Sequence, residues 1–213
     1  AILFNEVTSK LAKKFYQTAI LLPYLMSMVV VAYLVYAFLS TDTGLVNNSI
    51  IKGLLGREEG ISWYTEKVYW PFILTFVQQW KQIGFGMLLY LSSLLGIDQS
   101  YYEAAMLDGA SRWQQIRKIT IPLLKPTIIM LVILNLGQVF RSDFGLFYQV
   151  PMNQGALYSV TQTIDTYVYR ALLVSNSLGM SSAASFLQSV VGFLFFVTAN
   201  GIVRKMDKNS SLF

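Results

Sequence analysis

Three stretches of this chain carry almost no charge for longer than the core of a soluble domain requires. Between Lys14 and Asp42 lie 27 residues without a charged side chain, from Val68 to Ile97 there are 30 with only Lys81, and from Ala171 to Val203 there are 33 with none. About 20 consecutive apolar residues, wound as a helix, cross the hydrocarbon of a bilayer. Backbone groups in hydrocarbon must bond within their own segment, so such runs become helices; a barrel would instead show roughly 10-residue alternating segments. The chain therefore reads as all-α, a polytopic membrane helix bundle. Four transmembrane helices are expected over about 16–39, 71–95, 123–145 and 179–203, in a single domain, 1–213. The third begins at Pro122 or Pro126, and Arg141 and Asp143 interrupt its outer end.

Composition narrows the chemistry. Charged residues are 13% of the chain, about half the share of an ordinary globular domain. The 213 residues include no cysteine and no histidine, which leaves out disulfide frameworks, thiol nucleophiles, histidine metal sites and an imidazole base. The net charge of +5 does not gather on a polar surface as a nucleic-acid footprint does, so no nucleic-acid partner is expected. It reads as topology instead, because cytoplasmic loops of membrane proteins carry an excess of Lys and Arg. With four spans, one side holds Lys10, Lys13, Lys14, Arg112, Arg117, Lys118, Lys125, Arg204, Lys205 and Lys208; the other holds Lys52, Arg57, Lys67 and Arg170. Both ends of the chain are expected to be cytoplasmic. The 40–70 segment is then outside, with Trp63, Tyr64, Tyr69 and Trp70 at the interface and the glycine-rich part, 44–60, as a surface connection. The first long apolar run is too long for a cleaved signal segment, and Ala1 to Phe4 reads as the end of an earlier apolar segment.

The connection between the second and third spans, 98–122, is too ordered in pattern for a passive linker. Asp98 or Ser100 can cap a first short helix, and Glu103 falls near its positive end. Gly109, beside Asp108, can take the left-handed conformation that ends a helix. Ser111 can cap a second helix presenting Arg112, Trp113, Ile116 and Ile119 at three-to-four spacing. Pro122 is expected to stop or kink that helix before the next span. The result is a helical hook with apolar tips and a charged rim.

Here the chain resembles a known family. Glu103-Ala104-Ala105, then Gly109, Ile119 and Pro122 at their spacing, resemble the EAA signature of permease subunits in bacterial ATP-binding-cassette importers, with Ile121 where leucine is usual. Asp108-Gly109-Ala110, Trp80-Lys81 and the segment Asp165 to Arg170 resemble the carbohydrate branch, in particular permeases for oligosaccharides. The likeness covers essentially the whole chain. It implies that these four spans are the core of a six-helix permease in the bacterial cytoplasmic (inner) membrane, translocating an oligosaccharide by alternating access. The implied partners are a cytoplasmic ATPase dimer, a second homologous permease subunit, an extracytoplasmic solute-binding protein, the carbohydrate and the membrane lipid. Coupling to the ATPase would fall to Glu103, Ala104, Ala105, Asp108, Gly109, Arg112, Ile119 and Pro122. Glu103 would pair with a basic group of the ATPase or cap its own helix. No cofactor is expected in the chain itself: it holds no phosphate-binding Gly-x4-Gly-Lys-Ser/Thr loop, so ATP and Mg would be bound by the partner.

Polar residues inside spans are costly and face a bundle interior or a watery cavity. Gln78, Trp80 and Lys81 in the second span, and Asn135, Gln138 and Arg141 in the third, are candidate pathway residues, the aromatic ring and the amides being suited to a sugar. The same residues could instead bond between helices. Lys81 and Arg141 could attract an acidic sugar, or Lys81 could pair with Asp143. In the last span Ser181, Ser185, Gln188 and Gly192 share a face suited to close helix packing. Asp165 and Arg170 lie in a candidate outer helix, 161–173. No catalytic and no metal residues are expected. The alternative class is a non-transport membrane scaffold or enzyme subunit; an enzyme would need converging catalytic groups, which this sequence does not offer.

Overall fold

The structure, a computed structural model, describes residues 1–7, 9–173 and 177–206. Lys208 and Ser175 lie outside the described residues. Helices and turns make up the described chain, and no strand occurs among them. The helices include α1 (Ile2–Asn5), α2 (Lys10–Leu25), α3 (Met28–Leu39), α4 (Trp70–Leu95), α5 (Ser100–Leu107), α6 (Arg112–Gly137), α7 (Ile164–Leu173) and α8 (Leu178–Met206). Contacts divide the chain into two compact units. One is built from Ala1–Ala19, Gly84–Phe140 and the chain from Ser189 onward; the other from Ile20–Ile83 and Arg141–Gln188.

The chain is an all-α membrane bundle, but its spans differ from the sequence expectation. Among the described residues, Arg112–Gly137 and Leu178–Lys205 are single helices long and apolar enough to cross a bilayer. The span expected at 16–39 is two helices, α2 and α3, bent by 99° where they meet. Pro23 sits inside the last turn of α2, and the Ser27 hydroxyl accepts from the Val30 N–H at 3.3 Å, capping a new helix. A serine side chain that satisfies a free N–H makes a helix start cheap there. The helix expected at 71–95 is present, 26 residues long, but with Gln78, Gln79, Lys81 and Gln82 at its middle it is not among the helices apolar enough throughout to cross a bilayer.

The third span also departs from 123–145. It ends at Gly137, and the chain from Gln138 to Asp143 is irregular. At its other end, Pro122 does not stop the helix, which is continuous from Arg112. In a regular α-helix the Pro122 ring, which has no N–H, would face the Lys118 carbonyl. Residues Ile116–Thr120 form a π turn instead; its i→i+5 bonds widen the helix just before the proline and make room for the ring.

In the second unit the core gathers Val31, Ala32 and Val35 of α3 with Tyr64, Trp70, Leu74, Val77, Leu146, Val150 and Leu157. Trp70 and Tyr64, expected at a membrane interface, are buried here. Tyr64 packs edge-on against Tyr36 and Trp70, at 5.5 and 5.2 Å between ring centroids. Nor is 44–60 a plain surface connection. Val46–Leu54 is a π helix, and the fully buried Asn47 donates to the carbonyls of Ser40 (3.3 Å), Thr41 (3.1 Å) and Ile61 (2.9 Å). Its Oδ1 accepts from the Ile61 N–H (3.0 Å) and the Trp63 indole (2.9 Å). Gly44 makes this turn possible: a Cβ there would stand 2.2 Å from the Ser40 carbonyl oxygen.

Candidate functional site

The hook forms as its sequence dictates. The Asp98 Oδ1 accepts from the Ser100 N–H at 2.9 Å; this bond holds the Asp98 carboxyl below its ordinary value. α5 then runs to Leu107 and ends at Gly109, whose φ is +75°. The Gly109 N–H bonds to the Met106 carbonyl (3.0 Å) and the Ala110 N–H to the Ala105 carbonyl (2.9 Å). These are the paired bonds of a Schellman cap, which satisfies carbonyls that the ending helix leaves open. Two residues later Ser111 opens α6 with a reciprocal cap: its N–H donates to Gln114 Oε1 at 2.7 Å, and its Oγ accepts from the Gln114 N–H at 3.4 Å. One helix is stopped and the next started within four residues.

Two ties that sequence reasoning did not foresee hold the arms together. Buried Gln115 donates through Nε2 to the Ala110 carbonyl at 3.1 Å, and the hydroxyls of Tyr102 and Thr120 are hydrogen-bonded. The tip stays open: Leu107 is 91% and Trp113 69% exposed. Glu103 is exposed too, and no side-chain hydrogen bond or ion pair is made by it among the described residues.

A groove of about 370 Å³ between the arms is lined by Ala105, Asp108, Gly109 and Ile119, together with Ala110, Gln114, Gln115 and Lys118. Four of the expected coupling residues thus share one surface, while Glu103, Ala104, Arg112 and Pro122 lie outside it. Arg112 approaches Glu6 at 3.7 Å, with both side chains largely in solvent, a pair of little energetic weight.

The candidate pathway residues separate. Gln78 and Arg141 meet at a cleft of about 520 Å³ in the second unit, lined also by Thr75, Gln79, Ser142 and Asp143. The Gln78 Oε1 is buried there without a hydrogen-bond donor among the described residues. A buried acceptor left without a donor is costly, and this one faces the cleft. Trp80 packs against the hydrophobic core and does not line the cleft. Lys81 donates to the backbone at the α2–α3 break, to Pro23 (3.2 Å), Tyr24 (3.0 Å) and Met26, and not to Asp143. Asn135, exposed, bonds to its own helix through the Leu131 carbonyl at 2.8 Å. It belongs with Gln138 to the other unit.

Asp165, placed from sequence in a candidate outer helix, is an internal anchor. Its Oδ2 accepts from the Ser142 N–H (2.7 Å) and hydroxyl (2.6 Å), and the carboxylate also accepts from Gln188 Nε2 at 3.2–3.3 Å. Burial pushes this carboxyl up, but the bonds from Ser142 and Gln188 outweigh it and hold the group below its ordinary value. Arg170 is not its partner: it donates to Asn153 Oδ1 (3.1 Å) and Thr166 Oγ1 (3.2 Å) and lies over the Tyr158 ring at 4.1 Å. In α8, Ser181 donates to the Val168 carbonyl at 3.2 Å. A Cβ on Gly192 would stand 3.0 Å from the Gly137 carbonyl oxygen, so that face of α8 serves close packing.

Comparison with known proteins gives a consistent picture. Residues 1–208 match the profile of the binding-protein-dependent transport system inner membrane component. The chain is 34% identical over 208 residues to Protein LplB of Bacillus subtilis (strain 168), covering 98% of this chain and 64% of that protein. It is also 34% identical to the polygalacturonan/rhamnogalacturonan transport system permease protein YteP of the same organism, covering 98% and 63%. The chain thus spans just under two thirds of the length of these relatives. Among solved structures, a bacterial alginate ABC transporter in complex with an alginate pentasaccharide-bound periplasmic protein superimposes with a TM-score of 0.88 at 34% identity, over 97% of this chain and 70% of that one.

Proposed function

Because this chain belongs to the family of binding-protein-dependent transport system inner membrane components, we propose that it is the membrane-spanning permease subunit of an ATP-binding-cassette importer that moves a carbohydrate, an oligosaccharide, into the cell. ATP and Mg are bound by a dimer of ATPase subunits on the cytoplasmic side, a second permease subunit completes the channel, and a solute-binding protein delivers substrate from outside. Both ends of this chain face the cytoplasm.

The observation that carries this reading is the hook. Two helices joined by a Schellman cap and a reciprocal serine cap, tied across their arms, make a projection with an apolar tip, Leu107 and Trp113, that no described residue covers. Seated in a cleft of the ATPase, such a projection converts closure of the ATPase into displacement of the helices that follow. The two states then differ in their contacts to the ATPase, as a ligand-driven shift requires. Gly109 supplies the turn, Ala104 and Ala105 allow close approach, and Glu103 is free to meet a basic group of the partner. In the cleft of the second unit, Gln78 accepts from a sugar hydroxyl. Arg141 also lines this cleft, which suits the acidic polysaccharide imported by one structural relative, at 33% identity and a TM-score of 0.89.

Purification in mild detergent tests the assignment. Recovery of an ATPase and a second permease, with ATP-dependent uptake of an oligosaccharide by the reconstituted assembly, is the expected result. A protein that purifies intact without either subunit would overturn it.

A further inference from the structure

Lys81 is the single charge in a run of 30 residues, half-buried on α4, and its ammonium is fully engaged. An ammonium has three donors and no acceptor. Here the three go to the carbonyls of Pro23, Tyr24 and Met26, and Nζ stands 5.9 Å from the centroid of the Tyr24 ring. The Pro23 and Tyr24 carbonyls lie in the last turn of α2, at the negative end of its dipole, and the Met26 carbonyl lies in the break itself; the Pro23 carbonyl also accepts from the Met26 N–H at 3.3 Å. The chain then turns through 99° and restarts at the Ser27 cap. A helix broken inside a membrane protein needs a substitute for the turn it lacks, because no water is at hand to satisfy the freed carbonyls.

We propose that Lys81 is a positioning residue that holds this break: its side chain replaces the missing turn of α2, clamps the bent pair to α4, and does not meet the substrate. A second consequence rests on the transport reading above. Gln78 lies one turn before Lys81 on α4, on a neighbouring stripe of the same helix. Anchoring Lys81 to the break therefore fixes the rotation that turns Gln78 into the cleft.

The 213 residues include no cysteine, so a spin-label pair can be placed at exposed Leu22 and Phe38, on either side of the break, in this chain in lipid. With Lys81 in place the pair should give one narrow distance. In Lys81→Met the distribution should broaden and lengthen, by up to roughly 7 Å if α2 and α3 become collinear. Lys81→Gln keeps amide donors without the charge and should broaden less; it keeps the test valid if the methionine variant fails to insert. A narrow, unshifted distance in either inserted variant would overturn the proposal. Uptake gives the second readout. A positioning role lowers transport of a neutral and an acidic oligosaccharide by the same factor in Lys81→Met. Loss confined to the acidic one, with the label distance unchanged, would make Lys81 a substrate cation instead. Because the distance requires no transport, a failure of the carbohydrate assignment leaves that measurement intact.

Discussion

The hydroxyls of Tyr102 and Thr120 stand 2.9 Å apart, one on each arm of the hook and 18 residues apart in the chain. Thr120 is buried, so Tyr102→Phe leaves a polar group in the interior without a partner. That should cost about 1–3 kcal/mol, and adding Thr120→Val should recover part of it, because removing both partners is milder than removing one. Thermal unfolding of the purified protein in detergent checks this. Strictly additive losses would show that the pair contributes nothing as a pair.

Gly109 is required by backbone conformation and not by space. Its φ is +75°, and a Cβ would meet nothing within 4 Å. Gly109→Ala should therefore cost about 1–2 kcal/mol, the penalty of a left-handed residue, and Gly109→Asn less, since asparagine enters that region more readily. ATP-dependent uptake should fall in the order glycine, asparagine, alanine, valine. Wild-type uptake by the valine variant would mean that the turn is dispensable.

Glu103 separates coupling from folding. It is exposed, so Glu103→Gln should change stability by no more than about 0.5 kcal/mol. If its carboxylate meets the ATPase, uptake and substrate-stimulated ATP hydrolysis should fall together while the amount of protein in the membrane is unchanged. Full uptake by Glu103→Lys would remove the residue from the coupling surface.

Asp165 predicts a pH dependence with a definite sign. Its carboxyl is held below its ordinary value in the folded chain, so the stability it contributes is present above the unfolded value near ~3.9 and disappears as pH falls through the depressed folded value. Between pH 6 and pH 3 the melting temperature should drop less steeply in Asp165→Asn than in the native protein. Parallel curves would show that Ser142 and Gln188 do not hold the carboxylate.

Asn47 satisfies two segments at once through Ile61 and Trp63. Replacing it with leucine leaves those groups buried and unpaired, for a loss of about 2–4 kcal/mol. Tryptophan emission should shift to the red as Trp63 loses its bond, at temperatures where the helical content is unchanged. An unshifted spectrum would place the loop's order elsewhere.

What could be read from the sequence was what is local. Ser111, Gly109 and Asp98 act on partners two to five residues away, and each took the role its residue type and position implied. Charge-free length gave the helices of 71–95 and 179–203 in the same way. What escaped depended on distant partners. Asn47 looked like an ordinary loop asparagine because Ile61 lies 14 residues on. Lys81 looked like a pathway cation because the carbonyls it caps are 55 to 58 residues away. Trp70 and Tyr64 resembled interface aromatics because composition cannot distinguish a ring at a membrane surface from one packed against Tyr36. Pro122 failed as a stop signal since a π turn, which no residue pattern announced, removed the clash that makes proline a breaker.

That π turn has a mechanical corollary. Because α6 runs unbroken from Arg112 to Gly137, the second arm of the hook and the membrane segment after it are one shaft of 26 residues, roughly 39 Å at the α-helical rise. A flexible joint at Pro122 would have absorbed a push at Arg112 within a turn of helix. Under the proposed coupling, a continuous helix would carry that push on to Gly137, where the backbone already touches the position of Gly192. The residue usually cited as a place for a helix to give way here lies in the middle of its drive axle.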